Sequence, residues 1–437
     1  MHKVLIANRG EIALRIQRSC RELGIQTVAA YAAVDREQLH LKFADEIVCI
    51  SKNDYLCSEN LVSAALTTGC DAVHPGYGFL SENAEFCRLV EDNGLSYIGP
   101  TSEQIAKMGN KILARRAFSA LGISPVPGSE EEIDNLHDAA TLVSQIGYPV
   151  VVKAAFGGGG RGIRIVNDEA KLEGAFSAAK AEAAAVFGDG AVYIEKFLDD
   201  ARHIEVQIFG DGKGSVIHFG TRECSIQRRQ QKVIEEAPAP NISQSILDAL
   251  CERTVAAVAA IGYRNAGTLE FLYQDGEFYF VEMNTRIQVE HPVTEAITGH
   301  DLLRLQIETA DSNLSLTQND IMFNGSAIEC RINAEDDCYL PSPGLLTEVI
   351  FPGGVGVRVD SHIYAGYRVP HQFDSLVAKL IVWDRDRPRT LLKMKRALEE
   401  MTITGIETNK VKLQNILAHE KFREGKVNTR FLDQLTG

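Results

Sequence analysis

Strand-like and helix-like segments alternate through the first 110 residues of this chain. The apolar runs KVLIA, TVAAYA, DEIVCI, DAVHP and SYIGP are typical of buried strands, and amphipathic stretches separate them. Such alternation predicts a parallel sheet that helices cover on both faces. Ligands bind beyond the carboxyl ends of strands of this kind. Two loops are expected there, at residues 8–11 and 74–79, and neither carries the glycine fingerprint of NAD-binding proteins.

Two later segments predict a β-hairpin. GTLEFLY contains Glu270 and FYFVEMN contains Glu282, with the turn residues Asp275 and Gly276 between them. A three-residue loop at 275–277 would place the two glutamates directly opposite each other, with Cβ atoms about 5 Å apart. Carboxylates this close repel unless a cation lies between them. Their oxygens suit Mg²⁺, which commonly accompanies nucleotide phosphate; an exposed acidic hairpin is the alternative.

The run EMNTRIQVEHP, residues 282–292, says most about function. If it is extended, alternate side chains share one face. That face would carry acids, amides and an arginine, namely Glu282, Asn284, Arg286, Gln288 and Glu290. This combination makes a poor solvated surface but is typical of a site that binds a cation and an anion together.

A four-glycine run at residues 157–160 separates the strand-like segments YPVVVKA and GIRIV. Ordering such a run is entropically unfavourable, so it usually marks close approach of the backbone to a ligand. Because Lys153 and Arg161 flank it, we expect it to cover phosphate. It is not a P-loop, since no Lys-Ser or Lys-Thr pair follows. A flexible linker is the alternative.

Composition narrows the class of partner. A net charge of −14 disfavours nucleic acid and anionic membranes. No apolar run reaches membrane-spanning length, and no targeting pattern precedes the first strand. Nine cysteines without a CxxC pair disfavour a disulfide framework or a zinc site. We therefore expect a cytoplasmic enzyme that holds anionic substrates with local clusters of cations.

Eight ordered blocks of the chain resemble those of one family, the biotin carboxylase subunits of biotin-dependent carboxylases, which have the ATP-grasp fold. The blocks are LIANRGEIALRI, HPGYGFLSEN, KAAFGGGGRGIR, SIQRRQQKVIEEAP, GTLEFL, VEMNTRIQVEHPVTE, IECRINAED and SHIYAGY. The resemblance implies an α/β and α+β fold with three domains. These are an N-terminal parallel α/β domain over residues 1–110, an ATP-grasp domain over 111–310 with a mobile lid at about 126–200, and a mixed C-terminal domain over 326–435.

The resemblance also implies a role for each matching residue. The residues that would contact ATP are Lys111, Lys153, Gly158, Gly159, Gly160, Glu195, Lys196, Leu198, His203, Gln230, Glu270 and Glu282. Mg²⁺ or Mn²⁺ would be held by Glu270, Glu282 and Asn284. Bicarbonate and biotin would contact Lys232, Arg286, Gln288, Val289, Arg331, Tyr77 and Gly78. Glu290 would be the general base, and the groups implied to act in catalysis with it are Arg286, Arg331 and Lys232.

The implied reaction is carboxylation of biotin at N1, driven by ATP and bicarbonate, through carboxyphosphate. No biotin-bearing segment of the Ala-Met-Lys-Met type is present. We therefore expect a separate biotin carboxyl carrier protein and a carboxyltransferase component, as in acetyl-CoA carboxylase and fatty acid biosynthesis. The resemblance further implies a homodimer, with Arg18 and Glu22 at the contact; an intrahelical ion pair is the alternative for these two residues.

One departure from the family pattern bears on activity. Gln230 stands where the family usually has histidine, which keeps a hydrogen-bond donor but loses a titratable imidazole. Gln230 therefore keeps open the alternative of a nucleotide-binding homologue without turnover. A different ATP-grasp ligase, one that joins an amine or ammonia to a carboxyphosphate, is a second alternative, and the blocks ECRINAED and SHIYAGY argue against it.

Overall fold

The computed structural model of the chain describes residues 1–155, 163–187, 190–312 and 314–436. The glycine run, with Gly158, Gly159 and Gly160, lies outside the described residues, as does Arg161. Among the helices in the described ranges, none has both the length and the apolar character needed to cross a bilayer.

The N-terminal unit is a five-stranded parallel sheet with strand order β3-β2-β1-β4-β5. Its elements are β1 (Lys3–Ile6), α1 (Gly10–Glu22), β2 (Gln26–Ala32), β3 (Glu46–Ser51), α2 (Ser58–Thr67), β4 (Ala72–His74), α3 (Ala84–Asp92), β5 (Ser96–Tyr97) and α4 (Ser102–Gly109). Val4, Leu5 and Ile6 of β1 are all fully buried, because helices cover both faces of the sheet. The parallel sheet predicted from the alternating segments is confirmed.

A small unit follows α5 (Lys111–Ala120) and contains a three-stranded antiparallel sheet in the order β7-β6-β8. Its elements are α6 (Leu136–Ile146), β6 (Val150–Ala154), β7 (Arg164–Val166), α7 (Leu172–Phe187) and β8 (Val192–Lys196). Val150, Val152 and Ile194 of the sheet pack against Val143 and Phe176 of the two helices, so the unit has a hydrophobic core of its own.

Most strands in the rest of the chain form one eight-stranded sheet in the order β13-β12-β9-β10-β11-β14-β19-β17, and two separate two-stranded sheets, β15-β18 and β16-β20, accompany it. Its first elements are β9 (Arg202–Asp211), β10 (Val216–Arg228), β11 (Gln231–Ala237), α8 (Gln244–Ala260), β12 (Arg264–Gln274), β13 (Glu277–Asn284), α9 (His291–Thr298) and α10 (Leu302–Asp311). The remaining elements are β14 (Ser326–Asn333), β15 (Gly344–Leu345), β16 (Glu348–Ile350), β17 (Val357–Ser361), β18 (Arg368–Val369), β19 (Leu376–Asp384), α11 (Arg387–Glu400), β20 (Thr402–Thr404), α12 (Lys410–Ala418), α13 (Glu420–Arg423) and α14 (Phe431–Thr436).

This large sheet joins two parts of the chain that are far apart in sequence. Strands β11 and β14 pair with each other, and Ile226 and Ile234 pack into the same core as Ile328, Leu380 and the helices near the C-terminus. Because the pairing of β11 with β14 joins these two parts in one sheet, side chains from both parts line a single cavity.

The predicted hairpin is present, but its loop is shorter than expected. Gln274 pairs with Glu277, so the loop is the two residues Asp275 and Gly276 rather than three, and both have positive φ as a tight type I′ turn requires. Glu270 pairs with Glu282, whereas the next residue, Phe271, pairs with Phe280, so β13 contains one extra residue at this point, as in a β-bulge. This extra residue restores the predicted register, and Glu270 lies opposite Glu282.

The strand that was expected to continue through 282–292 is also shorter. β13 ends at Asn284, the next residues form bends and a turn, and α9 begins at His291 with Glu290 as its N-cap residue. The expectation of one extended face from Glu282 to Glu290 was therefore wrong.

Candidate active site

A cavity of about 990 Å³ lies where the three parts of the fold meet. It is lined by the N-terminal loops at 8–12 and 77–79, by β6 and β8, by the large sheet, and by residues 372–376 and 429–433. Seventeen of the residues that the resemblance singles out line it, namely Tyr77, Gly78, Lys111, Lys153, Glu195, Lys196, Leu198, His203, Gln230, Lys232, Glu270, Glu282, Asn284, Arg286, Gln288, Val289 and Arg331. Glu290 does not line it; this fully buried side chain lies just below the cavity floor.

Three glutamates lie side by side on neighbouring strands. Glu270 on β12 is the direct cross-strand partner of Glu282 on β13 and of Glu205 on β9. Glu205 is fully buried, whereas the Glu282 side chain is 28% exposed to the cavity. Like charges on adjacent strands destabilise a sheet unless cations neutralise them. The neutralising groups are therefore part of the site.

The ammonium group of Lys232, on β11, supplies much of that neutralisation. Its Nζ lies 2.6 Å from Glu205, 2.8 Å from Glu270 and 2.6 Å from Glu290. Burial by itself would lower the pKa of Lys232, but these carboxylates raise it well above its ordinary value. Burial would raise the pKa of Glu270, yet Lys232 and His203 hold that pKa well below its ordinary value. Lys232 and Glu270 are therefore both ionised at neutral pH.

Glu290 is held by two cations. Besides Lys232, Arg331 of β14 donates from Nη2 to Glu290 Oε2 at 2.9 Å. Burial would raise the pKa of Glu290, but Lys232, Arg331 and Arg222 together lower it. The other edge of Arg331 contacts Glu235 of β11, with Nε donating to Oε1 at 2.6 Å. Arg331 thus bridges two carboxylates at the cavity floor.

Two further lysines that line the cavity also pair with carboxylates. Lys111, the first residue of α5, donates to Glu282, and Lys153 of β6 donates to Glu195 of β8. Arg115 also donates to Glu195, from Nη1 at 2.9 Å. These groups place positive charge beside the strand β8, which the resemblance assigns to the nucleotide.

Arg286 forms hydrogen bonds with polar side chains on both sides of it in the sequence. Its Nη2 donates to Asn284 Oδ1 at 2.8 Å, and its Nη1 donates to Gln288 Oε1 at 3.0 Å. The amides of Asn284 and Gln288 donate in turn to Glu270 Oε1 at 2.9 and 3.0 Å. The residues of this run therefore converge as expected, although bends in the backbone bring them together rather than an extended strand.

The two predicted N-terminal loops contact each other, and both line the cavity. Asn8 Nδ2 donates to the carbonyl oxygens of Pro75 and Tyr77 at 2.7 and 2.8 Å, which ties one loop to the other. The Tyr77 hydroxyl donates to Glu11, and Gly78 has a φ of +67°, which favours glycine. On the floor nearby, Lys379 donates to the carbonyl oxygen of Val289 at 2.8 Å.

Gln230 lies at the tip of the hairpin between β10 and β11. Arg228 pairs with Gln231, so Arg229 and Gln230 form a two-residue turn with φ values of 47° and 65°. Both side chains line the cavity.

Sequence reasoning missed several charged groups of the site, chiefly Glu205, Arg222, Arg115 and Glu235. Glu205 and Arg222 are cross-strand partners and are both fully buried. The available signal was a glutamate within the apolar run HIEVQIF, because an ionised residue is rarely buried without a partner. The partner lies on another strand, so this signal predicts a buried charged site but does not identify the residues that pair there.

The donor set at the hairpin fits a divalent cation. Glu270 and Glu282 face each other and offer hard carboxylate oxygens, and the amide oxygen of Asn284 lies on the same strand as Glu282. Among the described residues, Lys111 is the one that forms a salt bridge with Glu282. The Glu282 carboxylate also lines the cavity, where it can bind a further cation. These side chains suit Mg²⁺ or Mn²⁺ better than softer metals.

Comparison with known proteins identifies the family. Residues 1–105 match the biotin carboxylase N-terminal domain, 110–317 the ATP-binding domain of the carbamoyl-phosphate synthase L chain, and 329–434 the biotin carboxylase C-terminal domain. Biotin carboxylase 1 of Bacillus subtilis is 50% identical over 99% of this chain and 98% of that protein. Biotin carboxylase of Pseudomonas aeruginosa is 49% identical over 100% of this chain and 99% of that protein.

A solved structure gives the same result. The biotin carboxylase domain dimer of Hydrogenobacter thermophilus 2-oxoglutarate carboxylase, in complex with MgADP, ADP and bicarbonate, superimposes with a TM-score of 0.97 at 45% identity. The match covers 99% of this chain and 97% of that one. The three-domain ATP-grasp fold class that the resemblance implied is thereby confirmed. The chain belongs to the biotin carboxylase family of ATP-dependent ligases.

Proposed function

We propose that this chain carboxylates biotin at N1 with ATP and bicarbonate through carboxyphosphate, and that the biotin is borne by a carrier protein. The observation that carries the proposal is the position of Glu290. This buried carboxylate is bridged to both Lys232 and Arg331 at the floor of a cavity that also contains the opposed pair Glu270 and Glu282. A base, two anion-binding cations and a pair of metal-type ligands are the groups that joining bicarbonate to a phosphoryl group requires.

The charge arrangement favours two anions reacting with each other. Bicarbonate and the terminal phosphate of ATP repel, so fixed cations must surround both. Lys111 and Lys153 would contact the phosphates, and Lys232 with Arg286 would contact bicarbonate. In the described structure each of these cations has a carboxylate within 3.1 Å. Substrate anions would replace part of that pairing, so binding exchanges one set of ion pairs for another.

A divalent cation held by Glu270, Glu282 and Asn284 would supply charge neutralisation for the phosphates. The adenine would rest against Glu195 and Lys196 of β8 and against Leu198 just after it, with His203 of β9 nearby. The backbone near residues 157–160 would cover the phosphates.

Glu290 would accept the bicarbonate proton. Its pKa lies below the ordinary value in the described structure because Lys232 and Arg331 offset its burial. When bicarbonate shares those two cations, less positive charge acts on Glu290, so its pKa rises and it becomes a stronger base. Substrate binding would in this way prepare the base.

Arg331 would then stabilise the charge that develops on the ureido oxygen of biotin. It donates to Glu290 and lines the same cavity as Tyr77 and Gly78, beside which the biotin ring would lie. A preplaced donor of this kind is typically worth about 10²–10³ in rate. Gln230, at its hairpin tip, would contact the same region.

We extend the proposal to assembly. The related 2-oxoglutarate carboxylase domain is a dimer, and we propose a homodimer for this chain, with the exposed residues Arg18 and Glu22 at the contact. A carboxyltransferase component would take the carboxyl group from the carrier. We also propose three domains at 1–110, 111–310 and 326–435, with a mobile lid at about 126–200 within the second.

The decisive experiment is ATP hydrolysis by the purified chain with bicarbonate, with and without free biotin. We expect bicarbonate-dependent hydrolysis that biotin stimulates, and carboxybiotin as product. Transfer of the carboxyl group of carboxyphosphate to an amine, with release of phosphate and without biotin, would instead indicate another ATP-grasp ligase. Tight ATP binding with no hydrolysis under any condition would indicate a homologue without turnover.

A further inference from the structure

Two buried carboxyl groups lie beneath Arg331 and have no role in the function proposed above. Glu235 on β11 and Glu329 on β14 are direct cross-strand partners, so their Cβ atoms are about 5 Å apart on one face of the sheet. Both side chains are fully buried. Two ionised carboxylates at this separation in the interior would repel strongly. The pair therefore needs either a shared proton or a cation for each member.

In the described ranges, one member of the pair, Glu235, forms a salt bridge and the other does not. Nε and Nη2 of Arg331 both contact Glu235 Oε1 at 2.6 Å. Within the described parts of the chain, Glu235 Oε2 and both oxygens of Glu329 accept no hydrogen bond. The cation that most offsets the burial of Glu329 is Lys379, but its ammonium pairs with Glu11 at 3.0 Å and donates to the carbonyl oxygen of Val289 at 2.8 Å.

The electrostatics of the pair agree with this asymmetry. Burial raises the pKa of Glu235 to about 7; Arg331 and Lys232 pull it down, and the charge of Glu290 pushes it up. Glu235 thus keeps a large share of its negative charge at neutral pH.

Glu329 differs because no cation among the described residues forms a salt bridge with it. Burial raises its pKa well above the ordinary value, Lys379 and Arg331 offset this only in part, and the charges of Glu235 and Glu290 add to the rise. A proton held by the pair at neutral pH therefore belongs on Glu329.

We infer that Glu235 is a positioning residue for Arg331, and that Glu329 is its neutral partner, so that the pair carries one proton and one negative charge. The inference rests on the proposed function, in which Arg331 stabilises charge on biotin. With Nε and Nη2 bound by Glu235 and Glu290, Nη1 is the nitrogen of Arg331 that has no hydrogen-bond partner among the described residues. Anchoring the guanidinium on two sides leaves that nitrogen free to donate to substrate.

The test compares two isosteric variants, Glu235→Gln and Glu329→Gln, with the unmodified chain. Biotin-dependent turnover with saturating ATP and bicarbonate is measured between about pH 6 and pH 8.5. Glu235→Gln removes the anchoring charge, so we expect kcat to fall by about 10- to 100-fold, as for other residues that orient an active-site group. Glu329→Gln imitates the protonated acid, so we expect it to stay within about twofold of the unmodified chain near neutral pH.

The pH profile separates positioning from a structural role. In the unmodified chain, turnover should fall as pH drops through about 7, because protonation of Glu235 removes the same charge. The Glu235→Gln variant should lack this fall, whereas loss of bicarbonate as CO₂ at low pH affects all three proteins alike. Glu329→Gln should keep the fall at the same pH.

Three results would overturn the inference. One is a Glu235→Gln variant with unchanged kcat and an unchanged profile. Another is a large loss of turnover in Glu329→Gln near neutral pH. The third is a fall of turnover that occurs at lower pH in Glu329→Gln than in the unmodified chain, because this would mean that Glu329 is ionised in the unmodified chain. The measurement on Glu329→Gln does not depend on whether Glu235→Gln folds. An unmodified chain with no biotin-dependent turnover would refute the proposed function instead.

Discussion

At the scale of single residues, the site is defined by buried charges that neutralise one another. Lys232 contacts three carboxylates and Arg331 contacts two. Buried charges of this kind add little net stability as a set, but removing one member leaves the others unpaired. Substitutions here should therefore affect stability and catalysis to different degrees, according to the group removed.

Replacing Glu290 by glutamine should remove the base and leave the nucleotide end of the cavity intact. We expect bicarbonate-dependent ATP cleavage to fall by about 10²–10⁴-fold, the usual contribution of a general base. The dissociation constant for ATP, measured by calorimetry, should change little because Lys111, Lys153 and Glu195 are untouched. Unchanged turnover in this variant would rule out Glu290 as the base.

Replacing Lys232 by methionine should destabilise the fold strongly at neutral pH. Three buried carboxylates would lose their shared cation, a change that costs about 3–5 kcal/mol. As a control, Lys171→Met removes a lysine whose side chain is 65% exposed, and its ion pair should matter little. Thermal unfolding of both variants at neutral pH gives the comparison.

The pH dependence of the Lys232→Met effect follows from the pKa values of its partners. Glu270 and Glu290 have lowered pKa values in the folded chain, so their stabilisation is present above their ordinary pKa and is lost as pH falls toward the folded values. The difference in unfolding midpoint between Lys232→Met and the unmodified chain should therefore narrow as pH falls below about 5. A difference that is constant with pH would mean that Lys232 stabilises by packing alone.

At the scale of elements, strand β8 depends on a close backbone approach from the segment that precedes the small unit. Ser129 N donates to the carbonyl oxygen of Ile194 at 2.7 Å, and Lys196 N donates to that of Pro127 at 2.7 Å. A Cβ on Gly128 would lie 2.4 Å from the Ile194 carbonyl oxygen and 2.7 Å from Glu195 Cα. These backbone atoms cannot move without displacing β8.

Gly128→Ala should therefore shift Glu195 and weaken ATP binding. Overpacking of this kind costs about 1–3 kcal/mol of stability, and we expect the KM for ATP to rise. The matched control is Gly174→Ala in α7, where an added Cβ meets nothing within 4 Å and the helix should gain up to about 1 kcal/mol. Steady-state kinetics and thermal midpoints of the two variants distinguish displacement of β8 from a general effect of alanine.

At the scale of the whole molecule, the small unit and the large sheet have separate cores. The core of the small unit uses only residues between Ile133 and Ile194, whereas the eight-stranded sheet draws its cores from distant parts of the chain. A three-stranded sheet with a small core opens more readily than a long ladder. This agrees with the proposal that the small unit acts as a lid.

Hydrogen exchange should reveal this difference. Amides of β6, β7 and β8 should exchange faster than those of β9, β10 and β12, and a non-hydrolysable ATP analogue with Mg²⁺ should slow the first group selectively. Mass spectrometry of peptides from both regions, with and without nucleotide, provides the measurement. Equal protection of the two regions without nucleotide would contradict a lid that opens independently.

Local patterns in the sequence determined much of this protein. The alternation of apolar strands and helices predicted the parallel N-terminal sheet, and the turn Asp275-Gly276 predicted the hairpin that opposes Glu270 and Glu282, because both features depend on residues close together in the chain. Even there, the inserted residue in β13 was needed to reconcile the shorter loop with that register.

Only the tertiary structure decided which distant charges meet. Glu205 reaches Glu270 through the pairing of β9 with β12, and Glu235 reaches Arg331 and Glu329 through the pairing of β11 with β14. The register between strands separated by tens of residues depends on how whole faces pack, and no local spacing encodes it. The sequence alone therefore specified the kinds of groups at the site, and packing of the sheet selected the partners that set their charge.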